Sequence, residues 1–425
     1  MENLMRRCVL GGLALATAAL SLVAPTPVDA HGEKAQAPFL RMRTIQWYDV
    51  HWGKKEFAVN ERMKLSGKMH VMSEEHWPQT TTKPELSFLN IAIPGPVVVR
   101  KSSYLNGVHM ANSTNLKLGG TYDFEVEVMG RMPYDVHMHT MLNIAGAGPV
   151  IGPGKWVKVT GDYADFDNKI KTLDGRTIDI ETYGFDGVVF WHVLWAVIGV
   201  VWLVYWLAKP LFFHRWQYVK VGRGDELITM TDKALAVVMV ALAFGITGYG
   251  FMKSFSDNPL QLPLQGALAH TEPSPKTDQH VDVKYITATY AVPGREMKFH
   301  LEVTNRSSSP IKFGEFATAT VRFINPSVGF KDELSKDYPE DLMAENGLSV
   351  SDDTPIAPGE TRKVWVSAKD AAWEVQNLSS LIYDPDSRFA GLLFLYGEDG
   401  SRHIVETGGV LIPDFKLAAG ETLTH

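Results

Sequence analysis

Short runs of alternating apolar and polar side chains, separated by turns, fill the chain from residue 39 to about residue 183. Such alternation is typical of half-buried β-strands. Pro94-Gly95-Pro96, Gly119-Gly120 and Gly146-Ala147-Gly148-Pro149 interrupt the runs. The predicted strands are 63–72, 86–91, 97–100, 122–128, 136–144 and 156–159. Several strands in this space predict an antiparallel β-sandwich, in a domain that we place at residues 31–183.

A second series of strand-like runs occupies the end of the chain. These runs are 283–290, 297–304, 319–324, 362–367 and 392–396. Turn sequences separate them at Pro293-Gly294, Pro358-Gly359 and Asp399-Gly400. The pattern predicts a second sandwich over residues 281–425, with short helices within 332–348 and 371–381.

Two long uncharged stretches interrupt the β pattern. Residues 188–208 and 234–252 are each long enough to cross a bilayer as an α-helix. A buried soluble helix is the alternative for the second stretch. The segment between them carries the basic residues expected of a cytoplasmic loop: Lys209, Arg215, Lys220, Arg223 and Lys233. We therefore predict a transmembrane hairpin over residues 184–254, followed by a linker over 255–280.

The N-terminus has the organisation of a secretory signal peptide. Arg6 and Arg7 precede an apolar segment at 9–23, and Val28-Asp29-Ala30 forms a small-residue cleavage site. A signal peptide over residues 1–30 leaves a mature chain that begins at His31. Export of this end, combined with the hairpin, places both β domains on the periplasmic side of a bacterial inner or intracytoplasmic membrane.

Composition excludes several classes of protein. A formal net charge of −7 and a pI near 6.1 give no reason to expect nucleic-acid binding. The single cysteine, Cys8, lies in the predicted signal peptide. A mature chain without cysteine excludes disulfides, iron–sulfur clusters and a blue-copper centre. Histidine, carboxylate or backbone groups must hold any metal.

Asp135-Val136-His137-Met138-His139 is the candidate metal-binding sequence. Strand residues two apart share a face, so His137 and His139 can present two imidazoles to one ion. An ordinary pair of strand histidines is the alternative, because His-x-His alone is weakly specific. A terminal His31 adds a ring nitrogen and an amine, and an amine with a pKa of about 7.7–8.0 deprotonates readily near neutrality. Four nitrogen donors suit copper(II), and zinc also accepts them.

The other candidate features leave alternatives open. The glycine-proline run after His139 either shapes the metal site or is a plain surface loop. His192, near one end of the first apolar stretch, is either functional or extends to the lipid headgroups. His300 and His403 are expected to be structural or solvated rather than ligands.

Further motifs are distributed along the whole mature chain. They are His31-Gly32-Glu33-Lys34, Pro38-Phe39-Leu40-Arg41-Met42-Arg43-Thr44, Trp47-Tyr48-Asp49, His137-Met138-His139 with Asn143, Gly148-Pro149-Val150-Ile151-Gly152-Pro153-Gly154, Pro358-Gly359-Glu360, Trp373-Glu374 and Tyr383-Asp384-Pro385-Asp386-Ser387-Arg388-Phe389. Together they resemble the B subunit of the copper membrane monooxygenases. That family includes particulate methane monooxygenase, ammonia monooxygenase and short-alkane relatives.

The resemblance implies a fold, partners and ligands. The fold is mainly β, with two periplasmic cupredoxin-like β-sandwich domains joined by a two-helix transmembrane hairpin. The partners are the membrane subunits A and C, assembled as a trimer of heterotrimers. The copper ligands implied by the family are His31, through amine and ring, with His137 and His139. A second copper site of the family is formed by two histidines. His70 matches the second of them in the sequence, but Gln46 stands at the position of the first, which makes that site doubtful.

The function that the resemblance implies is oxygen activation by copper and hydroxylation of a small substrate, with a quinol as electron donor. Methane to methanol, ammonia to hydroxylamine and short-alkane oxidation all stay open, because Met132-Pro133-Tyr134-Asp135 departs from the family patterns before the histidine pair. No residue of the chain is identified as a catalytic acid or base. The alternative is a non-catalytic copper-binding scaffold, with the reactive site in the membrane subunits. A periplasmic copper chaperone fits less well, because it would not need the membrane hairpin.

Overall fold

The computed structural model of the chain describes residue 34 and residues 36–172, 174–259, 268–275, 280–292, 295–328, 338–384 and 386–415. Contacts group the chain into two compact units. The first unit is Met1–Phe166 together with Ala267–His425, and the second is Asp167–Gly266. The predicted signal peptide and the predicted terminal ligand, His31, lie outside the described residues.

The N-terminal β region is a sandwich of two sheets. Its strands are β1 (Ile45–Trp52), β2 (Glu56–Ala58), β3 (Arg62–Val71), β4 (Ser87–Ala92), β5 (Val98–Leu105), β6 (Val108–His109), β7 (Thr121–Gly130), β8 (Tyr134–Ile144) and β9 (Gly148–Thr160). The sheet orders are β1-β3-β7-β5-β6 and β2-β9-β8-β4. One core joins their inner faces, with Leu65 and Val126 from the first sheet and Leu89 and Val136 from the second. All described strand pairings in these sheets are antiparallel except that of β2 with β9.

The alternation of apolar and polar residues explains the register of β7. Tyr122, Phe124, Val126 and Val128 are buried, and the residues between them are at least partly exposed. Burial of each large apolar side chain contributes about 1.5–3 kcal/mol. A shift of one residue would expose the whole set, so the hydrophobic pattern fixes the register of the strand.

The C-terminal β region is one nine-stranded sheet that folds back on itself. Its strands are β12 (Val281–Val292), β13 (Glu296–Asn305), β14 (Ile311–Thr318), β15 (Val321–Ile324), β16 (Met343–Ala344), β17 (Leu348–Val350), β18 (Thr361–Lys369), β19 (Arg388–Gly397) and β20 (Arg402–Phe415). The order is β16-β15-β14-β19-β20-β12-β13-β18-β17. Strands β13 and β14 are four steps apart, yet Phe299 and Phe316 on them have ring centroids 4.9 Å apart. Since neighbouring strands are separated by about 4.8 Å, the sheet must close over a shared core.

The long strand β20 connects the two halves of that sheet. Its first part pairs with β19, and its last residues, from Leu411 to Phe415, run parallel to β12. The same strand carries Arg402 and Glu406, which contact the N-terminal β region. Strand β20 therefore contributes both to the C-terminal core and to the contact between the two β regions.

A short helix near the described N-terminus, α1 (Pro38–Arg43), also joins the two β regions. Met42 is fully buried within the C-terminal core, and Phe39 packs against that core. Proline at the first helical position costs nothing, because that N–H has no partner within the helix. Strand β1 of the N-terminal sandwich follows directly. Phe39 and Met42 thus pack with the C-terminal core before the chain enters the N-terminal sheet.

The second unit contains two long apolar helices. Its elements are β10 (Lys169–Lys171), β11 (Thr177–Asp179), α2 (Phe185–Leu207), α3 (Arg215–Lys220) and α4 (Met230–Asp257). Helices α2 and α4 are long and apolar enough to cross a membrane. Thr229 and Asp232 form a capping box at the start of α4. Lys209, just after α2, lies 2.8 Å from the Asp232 carboxylate, so an ion pair joins the adjacent ends of the two helices.

The structure confirms the predicted fold class, which is mainly β with two apolar helices, and adjusts several boundaries. Helix α4 extends beyond the predicted span at both ends. Strand β15 begins at Val321 because Ala319 and Thr320, with φ of 47° and 73°, form the preceding turn. Within 332–348, the part from residue 338 onward holds one 3₁₀ turn, Glu340–Leu342, and short strand segments. The short helix expected within 371–381 is α5 (Ala372–Val375). The division into two separate soluble domains stays a prediction, since both β regions belong to one unit.

Candidate metal site

His137 and His139 lie side by side on β8. Their ring centroids are 4.4 Å apart, and their ring planes are 84° apart. The two residues are only 7% and 3% exposed. The structure therefore brings the predicted pair together on one face of the strand, out of bulk water.

A backbone carbonyl fixes the orientation of the His139 ring. Nδ1 of His139 lies 3.1 Å from the carbonyl oxygen of Gly152 on β9. A carbonyl oxygen only accepts, so Nδ1 carries the proton and donates. The lone pair is then on Nε2, which is the arrangement that histidine ligands commonly have in metal sites.

Strand β9 is irregular where it faces His139. The pairing shifts between His139 and Met141, so that the Gly152-Pro153 segment is a bulge opposite Thr140. Proline cannot donate to a sheet and is tolerated at such a bulge. Bulges next to functional sites re-aim neighbouring side chains. The glycine-proline sequence therefore belongs to a strand beside the histidine pair, and only the turn at residues 145–147 is a loop.

Two glycines leave space for this arrangement. A Cβ atom at Gly154 would lie 2.3 Å from Cε1 and Nδ1 of His139. At Gly152 a Cβ would lie 2.1 Å from Oγ1 of Thr140 and 2.7 Å from Nε1 of Trp47. Contacts below about 3 Å are forbidden to real side chains, so glycine at 154 leaves room for the His139 ring, and glycine at 152 leaves room for Thr140 and Trp47.

The indole of Trp156 packs against the other histidine, His137. The ring of Trp156, which pairs with His137 across β8 and β9, has its centroid 5.2 Å from that of His137. Trp156 is itself 60% exposed. The His137 ring is therefore screened from solvent by an indole that lies at the surface.

The chemistry of this donor set fits a late first-row metal. Two imidazoles on one strand face, one with a fixed tautomer, suit copper or zinc rather than calcium or magnesium, which prefer oxygen. Among residues 36–172, 174–259 and the other described segments, no three histidine, cysteine or acidic side chains meet at one point. His137 and His139 are thus two ligands that require a further donor, and the predicted one, His31, is outside the described residues.

A residue near the start of the described chain, Gln36, contacts the strand beside the histidine pair. The Gln36 side chain accepts a hydrogen bond of 3.0 Å from the N–H of Ile151 and donates to the carbonyl of Pro149. Ile151 immediately precedes Gly152, whose carbonyl orients His139. A residue only five positions after His31 is therefore bound to the strand that faces the histidine pair.

The doubtful second site has a different structure. Gln46 on β1 and His70 on β3 are opposite each other in register. The Gln46 amide donates to the carbonyls of Arg41 and Met42, at 2.9 and 2.8 Å, and so caps the C-terminus of α1. The two ring nitrogens of His70 lie 2.9 Å from Oγ1 of Thr121 and 2.8 Å from Oε2 of Glu406. Both nitrogens are thus engaged by protein groups.

Glu406 on β20 is the centre of a partly buried polar cluster between the two β regions. It contacts His70, Nδ1 of His76, and the backbone N–H and hydroxyl of Ser73, the last two at 3.0 and 2.6 Å. Burial raises the pKa of the Glu406 carboxyl, but hydrogen bonds from His70, His76 and Ser73 outweigh burial and hold that pKa far below its ordinary value. The cluster therefore contains a carboxylate that stays ionised across the neutral range.

The remaining histidines considered from the sequence have structural contacts. Nδ1 of His192 lies 2.7 Å from the carbonyl of Val188, within α2. The His300 ring stacks on Trp365, with centroids 4.6 Å apart and planes 6° apart. Burial and the nearby His280 lower the pKa of His403. The expectation that His300 and His403 are structural or solvated rather than ligands stays a prediction.

Sequence reasoning missed three features of these sites. Pro153 within a strand-like run could have indicated the bulge, because proline is excluded from regular central strands. Gln36 carries no motif that would predict its bond to β9. Glu406 is 336 positions from His70, so no local pattern could join them.

Comparisons with known proteins agree over nearly the whole chain. The family model that describes the B-subunit protein of monooxygenases matches residues 32–415. The particulate methane monooxygenase alpha subunit of Methylococcus capsulatus (strain Bath) is 48% identical over 405 residues, which cover 95% of this chain and 96% of that protein.

Likeness to solved structures is low. The cupredoxin domain of amoB from Nitrosocaldus yellowstonii matches with a TM-score of 0.23 and 17% identity, over 29% of this chain and 91% of that domain. A PapD-like domain of human CEP192 matches with a TM-score of 0.17 and 12% identity, over 37% of this chain and 99% of that domain. Likeness at this level says nothing about function.

The family match and the sequence identity define the class of protein as a subunit of an oxidoreductase complex. The chain belongs to the monooxygenase B-subunit family.

Proposed function

We propose that this chain is the copper-binding B subunit of a membrane-bound monooxygenase that uses O2 to hydroxylate a small substrate. The observation that carries the proposal is the buried pair of His137 and His139, with the His139 ring oriented by the carbonyl of Gly152. Family membership supports the class of reaction. The proposed ligands are these two histidines with the amine and ring of His31.

Three protein groups support the two histidines in the proposed site. The Gly152 carbonyl accepts the hydrogen bond from Nδ1 of His139, which leaves Nε2 to bind the ion. Gly154 leaves the space that the ring needs. Trp156 covers His137 and limits access of water. When bound, copper would supply the one-electron chemistry that O2 activation requires, which no side chain provides.

The proposed position of His31 follows from the reach of the chain. Gln36 is bound to the backbone at Pro149 and Ile151. Five residues span at most about 17 Å, so a chain that begins at His31 has its terminal amine within that distance of Gln36. A terminal amine with an ordinary pKa of about 7.7–8.0 is readily deprotonated on metal binding.

The proposed setting is a bacterial inner or intracytoplasmic membrane. Helices α2 and α4 have the length and composition of spanning helices, and the basic residues between them favour a cytoplasmic loop. Both β regions would then face the periplasm. The proposed partners are the membrane subunits A and C in a trimer of heterotrimers, with a quinol as electron donor.

Methane is the substrate that we propose first. The 48% identical relative is named a particulate methane monooxygenase subunit. The Met132-Pro133-Tyr134-Asp135 sequence before the histidine pair keeps ammonia and short alkanes as outcomes of the test. Turnover of methane, ammonia and short alkanes by the purified membrane complex decides between them.

The decisive experiment replaces His137 and His139 by alanine in the intact complex. We expect one copper site per protomer to be lost, while the subunits still assemble. His300→Ala is the matched control, since that ring stacks on Trp365 away from the pair. Copper content equal to wild type in the double variant would contradict the proposal.

Turnover of the same double variant separates the two roles that such a copper can have. Loss of turnover with assembly preserved supports a copper that takes part in the reaction. Full turnover after loss of the copper supports the alternative of a scaffold subunit, with the reactive site in the membrane subunits. Determination of the mature N-terminus provides a separate check, since the proposal requires that the chain begin at His31.

A further inference from the structure

The segment that connects the two long apolar helices, residues 208–229, concentrates positive charge in its first part. Residues 208–223 contain no aspartate or glutamate but four basic residues: Lys209, Arg215, Lys220 and Arg223. They include the short helix α3. We call residues 208–223 the basic segment.

Only two of these four cations have a carboxylate partner. Lys209 is paired with the first turn of α4, and Arg223 is paired with Glu226 at 2.5 Å, in an exposed ion pair. Arg215 and Lys220 are both exposed. In the part of the chain that the structure describes, no carboxylate lies within ion-pair distance of either. The basic segment therefore presents two cations that lack a counter-charge.

Large apolar side chains lie exposed among these cations. Phe212, Phe213 and Trp216 are 59%, 72% and 63% exposed. The Nζ atom of Lys220 lies 5.2 Å from the centroid of the Trp216 ring, over its face. Tryptophan is enriched where a membrane protein meets the lipid headgroups, because its ring is apolar and its N–H is polar. Exposed rings beside unpaired cations thus match a lipid surface better than they match water.

The helix ends place the basic segment at one surface of the membrane. Helix α2 has 23 residues, which extend about 34 Å and are enough to cross the hydrocarbon layer of about 30 Å. The ammonium of Lys209 lies 2.8 Å from the carboxylate of Asp232 in the first turn of α4. The segment therefore leaves one helix and returns to the other at the same level.

We propose that the basic segment binds the phosphodiester headgroups of anionic phospholipids at the cytoplasmic surface of the membrane. A zwitterionic headgroup neutralises its phosphate with its own cation, whereas the phosphate of phosphatidylglycerol has no such partner. Arg215 and Lys220 supply the missing positive charge, and the exposed rings lie at the boundary between headgroups and acyl chains. This inference rests on the proposed membrane setting of the hairpin and not on the copper site.

The test uses the intact complex in phosphatidylcholine vesicles that contain a small fraction of spin-labelled phosphatidylglycerol or spin-labelled phosphatidylcholine. Val219→Cys, exposed in the basic segment, carries a fluorophore that the spin-labelled lipids quench. Val197→Cys, exposed near the middle of α2, is a second reporter that detects acyl chains. The labelled complex without either substitution gives the background.

Two double variants are compared in the Val219→Cys complex. Arg215→Gln with Lys220→Gln removes the unpaired cations, and both side chains are exposed, so the fold should persist. Lys169→Gln with Lys253→Gln is the matched control. It removes the same charge from the same unit, but from two lysines that are paired with nearby carboxylates.

We expect phosphatidylglycerol to quench the Val219 reporter of the wild-type complex more strongly than phosphatidylcholine does. Each cation near an anionic membrane surface strengthens binding about fivefold. Loss of both cations should therefore reduce the preference for phosphatidylglycerol by up to about 25-fold, and the control variant should keep it. The wild-type preference should also shrink in about 1 M salt, where charges are screened within about 3 Å.

An undiminished preference in the Arg215 and Lys220 double variant overturns the inference. A Val219 reporter that neither lipid label nor aqueous iodide quenches also overturns it, because a partner subunit then covers the segment. If no lipid label quenches either reporter and iodide quenches both, the proposed membrane setting is wrong as well. Copper content is measured in parallel and should stay at the wild-type value, so failure of the copper site is distinguished from failure of the lipid site.

Discussion

Arg402 donates two hydrogen bonds to the carboxylate of Asp49, at 2.8 Å to Oδ1 and 2.5 Å to Oδ2. The pair joins strand β20 of one β region to strand β1 of the other. The Asp49 side chain is 8% exposed and that of Arg402 is 22% exposed. The guanidinium also lies over the rings of Tyr48 and Phe394. A two-bond fork between nearly buried partners is stronger and more directional than a surface ion pair.

Replacement of Arg402 by Gln should weaken the contact between the β regions. The change leaves a nearly buried carboxylate without its cationic partner, and we expect the free energy of unfolding to fall by about 2–3 kcal/mol. The thermal unfolding midpoint of the purified complex measures the loss. Arg295→Gln, in an ion pair with about half-exposed side chains, should cost less than about 1 kcal/mol. Equal midpoints for the two variants would contradict the prediction.

Replacement of Gly154 by Ala should disturb the candidate metal site directly. The new Cβ would lie 2.3 Å from the His139 ring, so the ring must turn away from the carbonyl of Gly152. Loss of an orienting contact of this kind typically weakens metal affinity by about 10–100-fold. Copper competition titration of the complex measures the change. Gly224→Ala is the matched control, since nothing lies within 4 Å of a Cβ there, and an unchanged affinity for Gly154→Ala would count against the site.

Replacement of His70 by Ala should leave the copper content of the complex unchanged. Both His70 ring nitrogens are engaged by Thr121 and Glu406, and Gln46 caps a helix rather than facing a metal. Stability should nevertheless fall by about 1–3 kcal/mol, because Glu406 loses a partly buried hydrogen-bond partner. Metal analysis and thermal unfolding give the two results. Loss of one copper per protomer would instead restore His70 as a ligand.

The Glu406 cluster should make stability depend on pH in the acidic range. Burial raises the pKa of Glu406, but hydrogen bonds from His70, His76 and Ser73 depress it far below its ordinary value. A depressed pKa stabilises the fold fully above the unfolded value of about 4.3, and this stabilisation declines steadily as the pH falls from that value toward the much lower folded pKa. We expect the unfolding midpoints of wild type and Glu406→Gln to differ most above pH 5 and to converge toward pH 3.

The exposed Glu345 provides the comparison for this pH series. Glu345→Gln removes one carboxyl of the same type from the surface, and its midpoint should follow that of wild type at every pH. A difference between wild type and Glu406→Gln that stays constant from pH 6 to pH 3 would show that ionisation of Glu406 does not stabilise the contact.

Local patterns in the sequence were enough to predict part of the strands and the shared face of the histidine pair, but β1, β14 and β20 were not predicted. The alternation from Tyr122 to Val128 predicted a strand, because successive side chains of a strand point to opposite faces and only one face of this strand is buried. The two-residue spacing of His137 and His139 predicted that their rings share a face, and the rings lie 4.4 Å apart. Metal binding by the pair stays a prediction.

Contacts between distant parts of the chain could not be predicted in this way. The bond of Gln36 to Ile151 spans 115 positions, and that of Arg41 to Gln376 spans 335. Such contacts depend on how two sheets pack, which no local spacing encodes. Strand β1 was missed for a related reason, since seven of its eight residues are buried and little alternation remains.

Helix α1 packs Met42 into a core whose other fully buried members come from the last third of the chain. Synthesis proceeds from the N-terminus, so this helix has no finished surface to dock against until β19 and β20 have been synthesised. A polypeptide that ends before β19 would leave α1 without the core into which Met42 packs. Docking of this early helix is therefore a late event, because it waits for nearly the whole polypeptide.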